Sequence, residues 1–142
     1  MKKILMLVTM VMMLAFSAVC SASNGKVLDA EEALVAKFLA GGNYKAVSVV
    51  MTPEMQKNWD EKAYSNFQET LAKDFGKLNT NQLIVVEKHK DADVLLYQVV
   101  AEKIPAARFV YLFKLNGEKP LLNDFSVMLP QKKDEAAAAA KK

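Results

Sequence analysis

The order of hydrophobic patterns along the chain is the feature that most restricts its fold. Before Gly76, apolar residues recur at spacings of three and four, which predicts amphipathic helices. After Gly76, they come in short runs rich in Val, Leu, Tyr and Phe, separated by turn-forming residues, which predicts strands. Helices followed by a curling antiparallel sheet indicate an α+β fold in which the sheet wraps one layer of helices.

Polar caps divide the helical half into four predicted helices. Asp29, with Glu32 three residues later, forms a capping-box pattern that opens the first helix, which runs to about residue 40. Three further side chains stand where the next helices need an N-terminal cap: Asn43, Thr52 and Asp60. Gly76 ends the last helix, because a glycine readily adopts the left-handed conformation of a C-terminal cap.

The rest of the chain predicts four strands, near residues 83–88, 94–102, 107–115 and 121–129. The links between them are short enough for antiparallel hairpins. We therefore expect N-terminal helices packed on a curved, cone-like antiparallel four-stranded meander, as a single domain over residues 28–129. The tail, residues 131–142, is low-complexity Lys, Asp, Glu and Ala, and we expect it to fray.

The N-terminus predicts an export signal over residues 1–22. Lys2 and Lys3 precede about 15 uncharged, mostly apolar residues, which suits a secretory signal and falls short of the roughly 20 that span a bilayer. Small residues before Ser23 allow cleavage there, or one residue later. The predicted location of the mature chain is the periplasm, the cell envelope or the extracellular space.

Cys20 leaves a lipid-anchored alternative open. A bacterial lipobox places a Cys just after an apolar run, but the segment Ser17-Ala18-Val19-Cys20 departs from its usual pattern at two positions. Soluble export is the favoured interpretation, and the membrane is an expected partner only if Cys20 is lipidated.

Composition excludes several classes of function. With one Cys and one His, the chain cannot build a Cys/His zinc cluster or an internal disulfide, and we expect no metal and no cofactor. Loss of the signal would lower the formal net charge from +3 to +1. Lysines alternate with acids and Arg108 is the single arginine, so no basic face predicts nucleic-acid binding.

Four segments carry a resemblance to a known superfamily. They are residues 29–32 (Asp-Ala-Glu-Glu), 38–44 (Phe-Leu-Ala-Gly-Gly-Asn-Tyr), 51–55 (Met-Thr-Pro-Glu-Met) and 71–78, which ends in Phe-Gly-Lys-Leu. In this order they resemble small exported domains of the nuclear transport factor 2-like superfamily, in particular one bacterial family of unknown function. The resemblance implies a cone whose concave sheet and long helix enclose a cavity, a scaffold shared by enzymes, ligand binders and partner-binding modules.

The enzymatic use of such a cone fits this sequence poorly. The resemblance implies that isomerases and dehydratases of the superfamily line the cavity with Asp/His or Asp/Tyr arrangements. His89 lies in a charged Lys-His-Lys-Asp run that reads as a solvated turn, and no serine has the surroundings of a nucleophile. We therefore predict no catalytic residue, with a small cone-cavity enzyme of the isomerase or dehydratase type as the alternative.

The expected function is binding of a small apolar ligand or a protein partner, through the cavity or the sheet face. Five residues are candidates for lining a ligand site: Trp59, Tyr64, Tyr97, Tyr111 and Asp124. The aromatic four are as readily explained as core. Arg108 suits a ligand carboxylate, or more simply a neighbouring acid.

Asp124 and the sheet face leave two questions open. Asp124 alternates with Leu122, Ser126 and Met128, whereas the other face of this strand is more apolar and is the usual core side. Which face lines the cone is not fixed by the alternation. A homodimer through the open face on the Val110 and Leu112 side is the expected form of self-association.

Overall fold

Helices and strands divide the chain at Gly76, as expected. The structure is a computed structural model that describes residues 25–130, and the predictions for residues 1–22 and 131–142 lie outside this range. The helices are α1 (residues 25–39), α2 (Tyr44–Ser48), α3 (Pro53–Asn58) and α4 (Glu61–Thr70), and a π-helical turn (Leu71–Phe75) continues α4. The strands are β1 (Leu78–Lys88), β2 (Ala92–Ala101), β3 (Ala107–Asn116) and β4 (Lys119–Met128). The predicted α+β fold is confirmed.

Three of the predicted helix caps form hydrogen bonds. The Asn43 side chain accepts from the Lys45 amide at 3.0 Å, Thr52 Oγ1 from the Met55 amide at 3.2 Å and Asp60 Oδ1 from the Ala63 amide at 2.8 Å. Each satisfies an amide that has no partner within its helix, worth about 1 kcal/mol. The caps therefore fix where α2, α3 and α4 begin.

The predicted start of α1 is wrong. Residues 25–28 are already helical, so Asp29 lies inside α1 and does not cap it. Leu28, which precedes Asp29, is partly buried and packs against the core. This packing extends the helix past a residue that would suit a cap, because tertiary burial outweighs the about 1 kcal/mol of a capping interaction.

The end of the helical half is fixed by Gly76. Its amide donates to the Leu71 carbonyl at 3.0 Å, and its φ of +71° with ψ of −145° is backbone that only glycine adopts readily. A Cβ here would lie 2.9 Å from Glu102 Oε2. The Lys103 amide donates to the Phe75 carbonyl at 3.0 Å, which joins this helix end to the β2–β3 turn.

The sheet is an antiparallel meander in the order β1-β2-β3-β4, as predicted. β1 begins at Leu78, earlier than expected, since residues 79–82 are polar and give no alternation signal. Along the edge of β4, Met51 forms a parallel bridge with Leu122, and the Thr52 amide donates to the Leu122 carbonyl at 2.8 Å. The outer edge of β1 pairs with no strand of residues 25–130.

The inner face of the sheet packs on the helices through aromatic rings. Phe38 of α1 is fully buried at the centre, and five rings lie within 6.4 Å of its ring centroid: Trp59, Tyr64, Phe67, Tyr111 and Phe125. Such aromatic contacts contribute beyond the area they bury. The helical layer is therefore held to the sheet mainly by this cluster.

A bulge in β4 decides which side chains point inward. Leu112 pairs with Asp124, but the next residue, Phe113, pairs with Leu122, so Asn123 is an extra residue in β4. Leu122 and Phe125 are both buried, although an unbroken strand would place them on opposite faces. The prediction that Leu122 and Asp124 share one face of β4 is therefore wrong, because the bulge lies between them.

Candidate functional site

The four aromatic candidates lie in or beside the packed core. Tyr64, Tyr97 and Tyr111 are buried and Trp59 is partly buried. Trp59 and Tyr111 both contact Phe125, with ring centroids 5.8 and 4.9 Å away, and Tyr97 packs on Tyr111 at 5.5 Å. The structure thus brings the aromatic candidates into one continuous cluster whose rings contact one another.

The three tyrosine hydroxyls of this cluster differ in their partners. Tyr64 Oη donates to the Phe38 carbonyl at 2.7 Å, and Tyr97 Oη lies 3.5 Å from Glu32 Oε1. Burial, with the Glu32 carboxylate nearby, raises the pKa of Tyr97 to about 12. Tyr111 Oη is buried without any hydrogen-bond partner, and burial raises the Tyr111 pKa well above its usual range. Tyr111 thus carries an unsatisfied polar group inside the core.

Removing this hydroxyl is expected to stabilise the protein. The Tyr111→Phe variant should gain about 1–2 kcal/mol in the free energy of unfolding. The reason is that a buried hydroxyl without a partner loses its hydration and forms no hydrogen bond that compensates for this loss. Urea denaturation measures the difference. Tyr64→Phe is the matched control, since its hydroxyl is bonded, and it should lose about 1 kcal/mol. Equal losses in the two variants would mean that Tyr111 is satisfied in solution.

Asp124 lies apart from the aromatic candidates, on the outer face of the sheet. Its side chain is exposed, and Oδ1 accepts from the Phe125 amide at 2.8 Å. The bulge places it there, together with Ser126 and Met128. The face of β4 that lines the interior is therefore the one that carries Phe125, which points to the core.

The outer face carries three cross-strand rows. The central row joins Val85, Leu96, Val110 and Ser126. The basic row joins Gln82, Gln98, Arg108 and Met128 on one side of it. The acidic row joins Glu87, Val94, Leu112 and Asp124 on the other side. Among residues 25–130, the helices pack on the opposite face, which leaves these apolar side chains partly exposed.

Arg108 and His89 are both exposed. Arg108 lines a surface cleft of about 460 Å³ together with Met128 and Leu129, at the end of the sheet where β4 finishes. His89 follows β1, and its Nε2 lies 3.8 Å from Glu87 Oε2. It lines a second cleft, of about 370 Å³, together with Val27, Lys88 and Asp93.

Two buried carboxyl groups, those of Glu31 and Asp93, lie beneath this second cleft with the Lys88 ammonium group between them. We call these three residues the acid cluster. Glu31 of α1 is 0% exposed and Asp93 of β2 is 1% exposed. Lys88 Nζ donates to Asp93 Oδ2 and lies 4.0 Å from Glu31 Oε2. Within residues 25–130, both oxygens of Glu31 and Oδ1 of Asp93 have no hydrogen-bond partner.

Burial dominates the electrostatics of the acid cluster. The pKa of Glu31 is raised to about 7, mainly by burial and then by the nearby Asp93 carboxylate, while the Lys88 charge lowers it. A carboxyl group of this kind exchanges its proton near neutral pH, unlike a solvated one.

Sequence reasoning missed the acid cluster, although one signal was present. Glu31 stands four residues before Val35 and seven before Phe38, on the core-facing side of α1. A charged residue at a core-facing helix position needs a partner, and that requirement is a detectable signal. The predicted second strand begins near residue 94, which leaves Asp93 in the link before it, whereas Asp93 is the second residue of β2 and points inward.

Residues 25–130 lack both a metal-binding cluster and a helix able to cross a membrane. No group of three or more His, Cys, Asp or Glu side chains there is arranged to hold a metal ion. In the same part of the chain, no helix has the length and apolar character needed to cross a membrane.

Comparison of the chain with protein-family models, with curated proteins and with solved structures found no match. The resemblance to the nuclear transport factor 2-like superfamily therefore stays a prediction from the sequence.

Proposed function

We propose that this protein is an exported, non-catalytic interaction domain that pairs with a second copy of itself through the outer face of its sheet. The observation that carries the proposal is the apolar central row, flanked by Val94 and Leu112 and not packed against any helix of residues 25–130. Val85 is 40% exposed and Met128 is 46% exposed on this face. Contiguous apolar surface of this kind marks an interaction site.

The arrangement of charges favours a second copy as the partner. In a face-to-face dimer with its two-fold axis along the central row, the basic row of one protomer lies over the acidic row of the other. Arg108 then lies over Leu112 of the partner subunit, one strand from Asp124 of the partner subunit and within reach of its carboxylate, and Leu96 and Val110 each meet their own copy across the axis. The surface is therefore complementary to itself in both charge and hydrophobicity.

The size of the face also suits a dimer. Four strands about 4.8 Å apart and about 33 Å long present roughly 600 Å² before side-chain relief is counted. A stable interface buries about 800 Å² on each partner. The outer face therefore supplies most of such an interface without further elements.

The proposal is tested by the mass of the purified chain in solution. Sedimentation equilibrium should give twice the monomer mass at about 50 µM, a concentration at which a specific interface of this size is formed. Val110→Lys should give a monomer, because two ammonium groups would meet at the axis. Val49→Lys is the matched control, since Val49 is 66% exposed and lies outside the sheet, and it should stay dimeric.

Exchanging the charges of Arg108 and Asp124 tests whether the two protomers pack in the proposed orientation. Arg108→Glu should weaken the dimer at least tenfold, because it would place a carboxylate against Asp124 of the partner subunit. Adding Asp124→Arg to that variant should restore the association. A monomeric wild-type chain, or a double variant as weak as the single one, would contradict the proposed arrangement.

A further inference from the structure

The acid cluster joins the helical layer to the sheet at one end of the molecule. Lys88 and Asp93 are cross-strand partners that both face inward, and Glu31 reaches them from α1. Val27, one turn before Glu31, lines the cleft above them. The polar contacts of this part of α1 with the sheet are therefore the acid cluster and the Glu32 to Tyr97 hydroxyl contact at 3.5 Å.

The acid cluster has too few hydrogen-bond donors for its acceptors. The Lys88 ammonium binds Asp93, while three carboxyl oxygens have no donor. A single proton on Glu31 reduces this deficit from three oxygens to one, because the protonated carboxyl donates to Asp93, and the pair then carries one negative charge against one ammonium. Without that proton, two carboxylates share one lysine in a buried site, which is strongly unfavourable.

We propose that one proton shared between Glu31 and Asp93 holds the first turns of α1 against the sheet, and that loss of this proton releases these turns. We call this arrangement the latch. Release separates residues 25–31 from β1 and β2 and opens the cleft beside Lys88. The rest of α1 stays in place, because Val35 and Phe38 are anchored in the aromatic core. The latch is independent of the proposed dimer, which uses the opposite face of the sheet.

The neighbouring titratable groups can be distinguished from the proton shared by Glu31 and Asp93 when the pH dependence is measured. On the sheet side, Tyr97 of β2 and Tyr111 of β3 have raised pKa values and stay neutral below pH 9. Glu32 on α1 is exposed and contacts Tyr97, and Glu118 and His89 face the cleft from the β3–β4 turn and the end of β1. His89 lines the same cleft and its Nε2 lies 3.8 Å from Glu87 Oε2, so it receives its own control.

The pH dependence has a definite sign. The pKa of Glu31 is about 7 with α1 docked and near its ordinary value of 4.5 once the carboxyl is solvated. Docking is therefore strongest below pH 4.5, weakens as the pH rises and stops changing above about pH 7. Within that window the opening equilibrium changes by up to about tenfold per pH unit.

Hydrogen exchange on the purified full chain, corrected for the intrinsic pH dependence of exchange, tests the latch. Protection of amides 28–33 should fall at least tenfold between pH 5.0 and pH 7.5, while that of β3 stays constant. In Glu31→Gln the protection should not depend on pH, since the amide supplies a permanent donor. Glu32→Gln and His89→Gln are controls that should behave like the wild type.

Two outcomes would overturn the latch. One is constant protection of amides 28–33 in the wild type over this pH range. The other is the same fall in Glu31→Gln as in the wild type. If Glu31→Gln does not fold, Asp93→Asn replaces it, because a neutral partner removes the charge repulsion and should reduce the fall in protection to less than threefold.

Discussion

Replacing Phe38 by alanine is expected to lower the free energy of unfolding by about 3–5 kcal/mol, the range typical of a phenylalanine deleted from a core. Phe38 is fully buried, and its ring packs on α3, α4 and the sheet at once. Its removal leaves a cavity between two layers that cannot close independently. Thermal or urea denaturation measures the loss.

The neighbouring residue supplies the control for this prediction. Lys37 is exposed on the same turn of α1, so Lys37→Ala should change stability by no more than about 0.5 kcal/mol. A loss below about 1 kcal/mol in Phe38→Ala would mean that the aromatic cluster does not hold α1 to the sheet.

Lys88→Met is expected to cost about 3 kcal/mol at pH 8, because it leaves buried carboxyl groups without their counter-ion. Methionine keeps the apolar stem of the side chain, so the loss reports mainly on the charge. Lys88 holds the pKa of Glu31 down, and its removal lets that pKa rise further. The loss should therefore shrink as the pH falls to 5, where Glu31 carries a proton in both proteins.

Lys90→Met is the control for this charge effect. Lys90 lies in the exposed turn between β1 and β2 and should tolerate the change within about 0.5 kcal/mol at both pH values. A loss in Lys88→Met that is the same at pH 5 and pH 8 would contradict the assigned ionisation of Glu31.

Local chemistry explains why much of the fold is predictable from the sequence. Asn43, Thr52 and Asp60 each satisfy amides within three residues, and Gly76 needs only its own backbone freedom, so these signals act over short distances. The four strands are joined by short turns, which fixes an antiparallel meander once the strands are recognised.

The features that the sequence alone did not predict depend on distant packing. Burial of Leu28 moves the start of α1 ahead of Asp29, and the bulge at Asn123 exists because β4 must pair with β3 while also meeting Met51 and Thr52. A bulge reverses the alternation on which the inward and outward assignment rests. The outward position of Asp124 therefore becomes clear only from the register in which β4 pairs with β3.

The acid cluster shows the same limit for the candidate site. Glu31 and Asp93 are 62 positions apart in the chain, and the core-facing position of Glu31 indicates that it needs a partner without identifying which residue that is. Only the packing of α1 on the inner face of β2 brings them together. Charge patterning detects neighbours on one helix or one strand, so a pair formed between layers escapes it.

The two edges of the sheet have different consequences for how this protein behaves when it is concentrated. β4 is shielded by residues 50–52, whereas the outer edge of β1 has no partner strand in the part of the chain that the structure describes, and such an edge can template another chain. The register shift beside Ile84 interrupts the regular row of donors and acceptors, and polar side chains fill residues 79–82. These are devices that oppose open-ended stacking of strands. These features therefore disfavour growth of fibrils from the edge and leave the proposed two-fold face as the expected route of association.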